Sequence, residues 1–280
     1  MKYLYYPGCS LKGTARDYDE SFRAVAPVLG IEFEEVENWA CCGATVAKSL
    51  DRGLSEKLPE QAILEARKAG RDLLMLCPSC HLNHLRLIKK DLEKEEGGGL
   101  APDRFPTARQ LLEVLAYGIG WEKIAGKISR PLKGIRAVPF YGCLVIRPFG
   151  LGGRESLENP KALENLIAAA GAEPVTFPGK MDCCGGGLVL SKEKTALKLG
   201  ARVLRGAKGL RPDCLVVACP LCHFLLDAKQ RSCEREAGEK FGIPVLYLTQ
   251  FLGLALGLHD LGLQRLITPP DHLLAKLPET

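Results

Sequence analysis

A chain of 280 residues and 30.5 kDa, 46% hydrophobic and 25% charged, carries enough apolar side chain for about two globular domains, which excludes a disordered protein. Thirty glycines and eighteen prolines without a period exclude a collagen-like chain, and 38 Lys+Arg against 33 Asp+Glu is too balanced for a nucleic-acid footprint. Twelve cysteines fall short of the ~8–10% density of disulfide-stapled small scaffolds, so they call for another explanation.

In chain order, Lys2–Pro7 alternates into a short strand. Ala15–Leu29 places Phe22, Val25, Val28 and Leu29 at helical intervals and closes on Gly30 as a cap. A second strand is expected at Ile31–Val36, one helix over Thr45–Gly70, an apolar strand at Asp72–Leu76 and a charged helix at Leu82–Glu95. Trp121–Lys133 reads as a polar linker. The order then recurs as Ile135–Tyr141, Pro160–Ala170, Glu173–Phe177, Ser191–Gly206, Cys214–Ala218 and Phe224–Glu239. Phe241–Leu258 runs for eighteen residues without a charge, about the length of a membrane span. Pro244 and Thr249 divide it, however, and a buried strand at Val245–Leu248 followed by a short helix at Gln250–Leu258 is the better reading.

The recurrence is an internal repeat. One shift of 142 residues carries Cys41-Cys42-Gly43 onto Cys183-Cys184-Gly185, Cys77-Pro78 onto Cys219-Pro220, Cys80-His81 onto Cys222-His223, and Thr107 onto Thr249. Cys9 meets Cys143 at a shift of 134, which makes Arg147–Gly153 an inserted loop. Strands alternating with long helices imply an α/β fold: two homologous Rossmann-like βαβ halves with mainly parallel sheets, related by a pseudo-two-fold, divided as 1–125 and 126–280. Cys9, Cys77, Cys143 and Cys219 then stand at the carboxyl ends of strands, where parallel sheets hold their chemistry. The Cys-Cys-Gly turns stand just before helices, whose N-termini favour thiolates.

Met1–Cys9 lacks the basic region, apolar run and cleavage site of a signal peptide, so a cytoplasmic chain is expected. In a reducing compartment clustered cysteines act as metal ligands or redox groups rather than staples. The halves read C-x31-C-C-G-x33-C-P-x-C-H and C-x39-C-C-G-x33-C-P-x-C-H. Vicinal thiols close a disulfide on each other only with strain, yet reach neighbouring metals in one cluster, and five thiols exceed what a tetrahedral zinc needs. The count points to an iron–sulfur assembly. Cys214 and Cys233 fall opposite Asp72 and Asp91 and are set aside, the first as packing in an apolar strand, the second as a surface thiol.

These motifs resemble the duplicated CCG domain of the heterodisulfide reductase B-subunit family over nearly the whole chain. The resemblance implies two noncubane [4Fe-4S] clusters, one held by Cys9, Cys41, Cys42, Cys77 and Cys80 and the other by Cys143, Cys183, Cys184, Cys219 and Cys222. It further implies reductive cleavage, or formation, of a disulfide lying between the clusters, with Cys42 and Cys184 central to that chemistry and iron taking the place of an attacking thiol. His81 and His223, directly after the last cysteines, either deliver a proton or bond a cluster sulfur, or else pack the helix start. Lys48, Arg147 and Lys180 are candidates to offset cluster and substrate charge, and Gly43 and Gly185 to relieve crowding beside the vicinal cysteines.

The chain has neither a compact ferredoxin run nor a Gly-rich dinucleotide fingerprint, so its electrons come from a partner. The resemblance implies a small ferredoxin-like iron–sulfur subunit, with either a flavin-containing subunit or a quinone-linked membrane subunit that would associate the chain with a membrane. The alternatives are an electron-transfer or quinone-linked CCG subunit of a respiratory complex such as an unusual succinate dehydrogenase, with zinc in one site, and a zinc-bound structural module.

Overall fold

The computed structural model describes residues 1–95, 106–148 and 150–277, with backbone alone at 92–95 and 150. The first half runs β1 (Lys2–Tyr6), α1 (Gly8–Lys12), α2 (Arg16–Val28), β2 (Glu32–Glu35), α3 (Val46–Leu50), α4 (Arg52–Lys57), α5 (Glu60–Ala69), β3 (Leu73–Met75), α6 (Pro78–Glu95) and β4 (Ala108–Gln110). α7 (Leu111–Glu113), a π-helical stretch Val114–Gly120 and α8 (Trp121–Ala125) complete it. The second half runs β5 (Arg136–Phe140), an irregular turn α9 (Gly150–Gly153), α10 (Ala162–Ala169), β6 (Glu173–Pro174), α11 (Glu193–Lys208), β7 (Cys214–Val217) and α12 (Pro220–His223). A π-helical stretch Phe224–Ala228, α13 (Gln230–Ala237), β8 (Val245–Tyr247), α14 (Leu248–Ala255) and α15 (Asp271–Leu274) follow.

The four strands of each half form one all-parallel sheet, in the orders β2-β1-β3-β4 and β6-β5-β7-β8. Leu4 lies opposite Leu73 as Val138 lies opposite Leu215, so the repeat extends to strand register. β3 and β7 are wholly buried, as strands covered on both faces by crossover helices must be, and this is why they read as unbroken apolar runs.

Four local expectations are corrected. The single helix over 45–70 is three, because Asp51 leaves the helix and caps α4 through the N–H groups of Gly53 and Leu54, and Pro59 opens α5. The linker Trp121–Lys133 starts as α8 and ends docked on the second half: Ile124 and Leu132 are fully buried, and the Leu132 N–H donates to the Ala170 carbonyl. Thr107 is not the counterpart of Thr249. Its carbonyl accepts from Leu73 as that of Pro244 accepts from Leu215, whereas Thr249 lies inside α14. The fourth strand of the first half, three residues long, had no periodicity to reveal it. In the loop after Cys143, Leu151 is buried and Leu151, Gly152 and Gly153 have positive φ; Phe149 lies outside the described residues. Among the described residues no helix is long and apolar enough to cross a membrane, and Phe241–Leu258 forms β8 and α14 as expected.

The halves meet where α2 packs on α14. The Ser21 and Thr249 hydroxyls bond at 2.6 Å, Tyr18 stacks on Tyr247 with centroids 4.0 Å apart, and Gln250 Nε2 donates to Asp17 and to the Leu261 carbonyl. Burial pushes Asp17 up to about 6 against the N–H groups that solvate it. Its folded pKa exceeds the unfolded value of about 3.9, so stability present below pH ~4 is lost as the pH rises through about 6, a loss of ~2–3 kcal/mol at pH 7. Asp17→Asn is expected to flatten the stability profile of the metal-free chain between pH 4 and 7, checked by urea unfolding across that range.

Candidate metal centre

The cysteines stand where the sheets place them. Cys9 follows β1 in the first turn of α1, Cys77 follows β3 directly before α6, and Cys80 lies in the first turn of that helix. Cys143, Cys219 and Cys222 stand in the same way after β5, after β7 and in α12, while the vicinal pairs occupy the loops after β2 and β6. In the first half the Cys41 thiol approaches Cys9 Sγ at 3.8 Å, and the Cys80 thiol bonds both Cys42 and Cys77. The second half repeats this: Cys183 pairs with Cys143, and Cys222 with Cys184 and Cys219. All ten expected ligands therefore fall into two sets of five.

Within each set the thiols are graded. The Cys80 thiol, then the N–H groups of Cys80 and Ser79 at the helix start, pull Cys77 down to about 7. Cys42 and Cys184 are lowered by the Cys80 and Cys222 thiols respectively, helped by the N–H groups of Ala44 and Gly186. Burial pushes Cys9 up to about 11 and Cys143 to about 12, with the neighbouring Cys41 and Cys183 adding to it. Cys80 and Cys222 are themselves raised well above the usual thiol range by those same bonds and by burial, so each half holds a buried group of three unlike sulfurs and an outer pair nearer the rim.

Two glycines that sequence reasoning passed over shape these sets. Gly8 and Gly142, directly before the first cysteines, have φ of +68° and +65°, and a Cβ there would lie 3.2 Å from Cys80 Sγ and 2.8 Å from Cys222 Sγ. The shared Gly-Cys dipeptide was the available signal. Gly43 and Gly185 do more than relieve crowding beside the vicinal pair: a Cβ at either would strike the backbone of Ser55 or Ala196, so they let α4 and α11 close over the turn.

His81 and His223 are buried, and the His81 ring bonds the carbonyl that opens the fourth strand of its half, Ala108 at 3.1 Å, whereas His223 Nε2 has no hydrogen-bond partner among the described residues. Burial lowers them to about 4 and about 3, so both are neutral near pH 7, and the 3.9 Å approach of His223 Nε2 to Asp17 is not an ion pair. Lys180 is withdrawn from any role towards cluster charge: its Nζ is buried and donates to Asn159, the Pro160 carbonyl and Glu164. Lys48 and Arg147 are exposed. Cys214 is core packing as expected, but Cys233 is no surface thiol. It lies on the inner face of an otherwise charged helix, fully buried, and burial pushes it up to about 11.

Between the halves lies a crevice of about 240 Å³, walled by Ser10, Thr14 and Thr45 from the first and by Val189, Leu221 and Phe224 from the second. Beneath it Tyr18 is wholly buried, its face stacked on Tyr247, which stacks in turn on His223, and its hydroxyl has no partner. The charges felt at that hydroxyl are those of Cys77 and Cys219, one from each set. A buried O–H without an acceptor costs ~1–3 kcal/mol and fits an anionic sulfur-bearing group supplied from outside the chain. Among the described residues no three His, Cys, Asp or Glu side chains close round a single-ion position. Soft thiols meeting in pairs, with N–H donors aimed at them, fit a polynuclear iron–sulfur group better than one tetrahedral ion. Tyr18→Phe is expected to leave the metal-free chain as stable or up to ~1 kcal/mol more stable, while changing the electron paramagnetic resonance spectrum of the loaded protein.

Comparison with known proteins agrees with this geometry. The chain is 32% identical to the 8-methylmenaquinol:fumarate reductase membrane anchor subunit of Wolinella succinogenes, covering 94% of this chain and 95% of that one. It is 28% identical to the B subunit of the ferredoxin/F(420)H(2)-dependent CoB-CoM heterodisulfide reductase of Methanosarcina acetivorans, over 99% and 97%. A protein of Archaeoglobus profundus described as like the heterodisulfide reductase B subunit is 27% identical, over 100% and 99%. The fold is shared with a hypothetical protein from Helicobacter pylori at a TM-score of 0.70 and 13% identity, over 96% of this chain and 52% of that one. Residues 3–84 and 137–227 each match the cysteine-rich CCG domain, and the chain belongs to that family, carrying its domain twice.

Proposed function

We propose that the chain is the catalytic iron–sulfur subunit of a heterodisulfide-reductase-like complex, reductively cleaving or forming a disulfide in the crevice between two noncubane [4Fe-4S] clusters. One observation carries the reading: there are two complete five-thiol sets, equivalent in fold and in sulfur contacts, and both halves contribute chain neighbours of these cysteines, Ser10 beside Cys9 and Pro220 and Leu221 between Cys219 and Cys222, to one crevice. Cleavage consumes two electrons and two protons and releases two thiols, so two one-electron centres on opposite sides of the bond match its stoichiometry. When bound, the clusters supply that one-electron chemistry and their affinity for sulfur. The chain's own part is to place and shield. Val189, Leu221 and Phe224 exclude water from the crevice, while Ser10, Thr14 and Thr45 offer hydroxyls at its other wall. His81 acts as a positioning residue, tying the first Cys-Pro-x-Cys turn to its fourth strand, while His223 stacks on Tyr247 of β8.

The electrons come from a ferredoxin-like iron–sulfur subunit, fed by a flavin-containing subunit or by a quinone-linked membrane subunit, with the chain itself cytoplasmic and membrane-associated only through that partner. A second reading, a quinone-linked electron-transfer role in a respiratory complex, is favoured by the apolar wall of the crevice together with the 32% identity to the membrane anchor of a quinol:fumarate reductase. Anaerobically purified protein, analysed for iron, sulfide and zinc and then assayed with reduced viologen against a disulfide panel and a menaquinone analogue, separates the two. Oxidation of viologen by disulfides supports the first reading, response to the quinone alone replaces it with the second, and zinc without sulfide overturns both.

A further inference from the structure

The two halves differ in how the helices behind the vicinal cysteines pack. In the second, α11 lies close against α13: a Cβ on Gly200 would stand 2.9 Å from Cys233 Sγ and 3.0 Å from Leu225, and Lys229 and Glu193 form an ion pair at 3.3 Å across the contact. The repeat shift that carries Cys80 onto Cys222 carries Asn83 onto Leu225. In the first half, where Asn83 takes the place of that leucine, the space between α4 and α6 is open. It is a cavity of about 560 Å³, within the ~300–1,000 Å³ typical of small-molecule sites.

Its lining is cationic. Lys48, Arg52, Arg86 and Lys90 border it against one carboxylate, Glu56, which Lys90 meets at 2.7 Å and Arg52 at 3.6 Å. Four cations less one anion leave three positive charges around a concave wall. The floor is buried and polar: Ser55 is 3% and Asn83 8% exposed, and Asn83 Nδ2 donates to the carbonyls of Ser55 and of the ligand candidate Cys42. Solvated surface lysines do not explain such a floor, and the copy of this place in the other half is filled with apolar side chains.

We propose that this cavity is a binding site for a small molecule carrying two or more oxyanion groups, phosphate, sulfonate or carboxylate. Arginine and lysine ring the opening in the arrangement that oxyanions recognise, and the cavity is larger than one inorganic anion needs. Through Asn83 its floor connects to the Cys42 turn, so an occupant sits behind the first five-thiol set rather than in the crevice between the sets. The proposal does not depend on whether disulfide or quinone is the redox substrate.

The test is titration calorimetry of the full chain, purified anaerobically, with pyrophosphate, methanedisulfonate and citrate as probes for the three chemistries. Saturable one-site binding of at least one probe is expected. It should weaken about tenfold or more, ~1.4 kcal/mol, in Lys48→Gln/Arg86→Gln, and change less than about twofold in the control Lys194→Gln/Lys198→Gln on α11. The probe bound most tightly identifies the group. Absence of saturable binding to all three, binding that survives the first pair, or equal weakening in the control pair each overturns the proposal.

Discussion

Cys80→Ala protein purified anaerobically is expected to keep about half of the wild-type iron and sulfide, Cys222→Ala the other half, and the double variant none. The reasoning lies in how the sulfurs meet. Cys80 bonds both Cys42 and Cys77 from the buried side of its set, and Cys222 stands in the same relation to Cys184 and Cys219. Removing it therefore breaks each set at its middle, whereas the exposed Cys9 and Cys41 sit at the rim. The metal-free chain loses only a small buried side chain, ~1–2 kcal/mol, so folding survives and the metal count reports the site itself. Each single variant is expected to lose disulfide turnover altogether, since one remaining centre does not deliver both electrons across the crevice. Iron falling to zero in either single variant would mean one joint centre instead of two. Iron at the wild-type level would remove these cysteines from the ligand set.

Much of the site was legible because a duplicated pattern fixes spacing twice. Five cysteines in two copies, anchored by Cys-Cys-Gly and Cys-Pro-x-Cys-His, put Cys9, Cys77, Cys143 and Cys219 at strand ends and the vicinal pairs just before helices, and the parallel order followed from strands alternating with long helices. Features that depend on side-chain direction were not legible. Cys233 lies on a helix rich in charge, yet which face it occupies is settled by α11 packing against α13, with Gly200 leaving room for its sulfur. Lys180 looked like a free cation until Glu164, Asn159 and the Pro160 carbonyl closed around it. The Thr107 and Thr249 match arose because the repeat drifts by a few residues after the last cysteine, where β4 and β8 are too short to impose a period of their own. Tyr18 was invisible for a different reason: past the inserted loop the shift of 142 sets Pro160 opposite it, so the repeat offers no aromatic counterpart.

Gly142→Ala is expected to cost both fold stability and cluster content in the second half. At φ +65° an alanine adopts the left-handed region at a cost of ~1–2 kcal/mol, and the N–H of residue 142 is held there by the Lys180 carbonyl, so the backbone is not free to rotate away. The new Cβ would stand 2.8 Å from Cys222 Sγ, well inside any real contact, and Cys222 is buried in the first turn of α12 with no room to retreat. Overpacking adds ~1–3 kcal/mol, for a total of about 2–5 kcal/mol in urea unfolding of the metal-free chain. Because the atom displaced is one of the proposed ligand sulfurs, the loaded protein is expected to lose the iron of its second half as well. Gly8→Ala carries the same backbone strain at φ +68°, but its Cβ would lie 3.2 Å from Cys80 Sγ and 3.1 Å from the Tyr6 ring, contacts that a shift of a few tenths of an ångström relieves. It should cost ~1–2 kcal/mol and keep most of its iron. Equal losses in the two variants would assign the effect to backbone strain alone, and full iron in a destabilised Gly142→Ala would show that the close approach to sulfur serves the fold and not the metal.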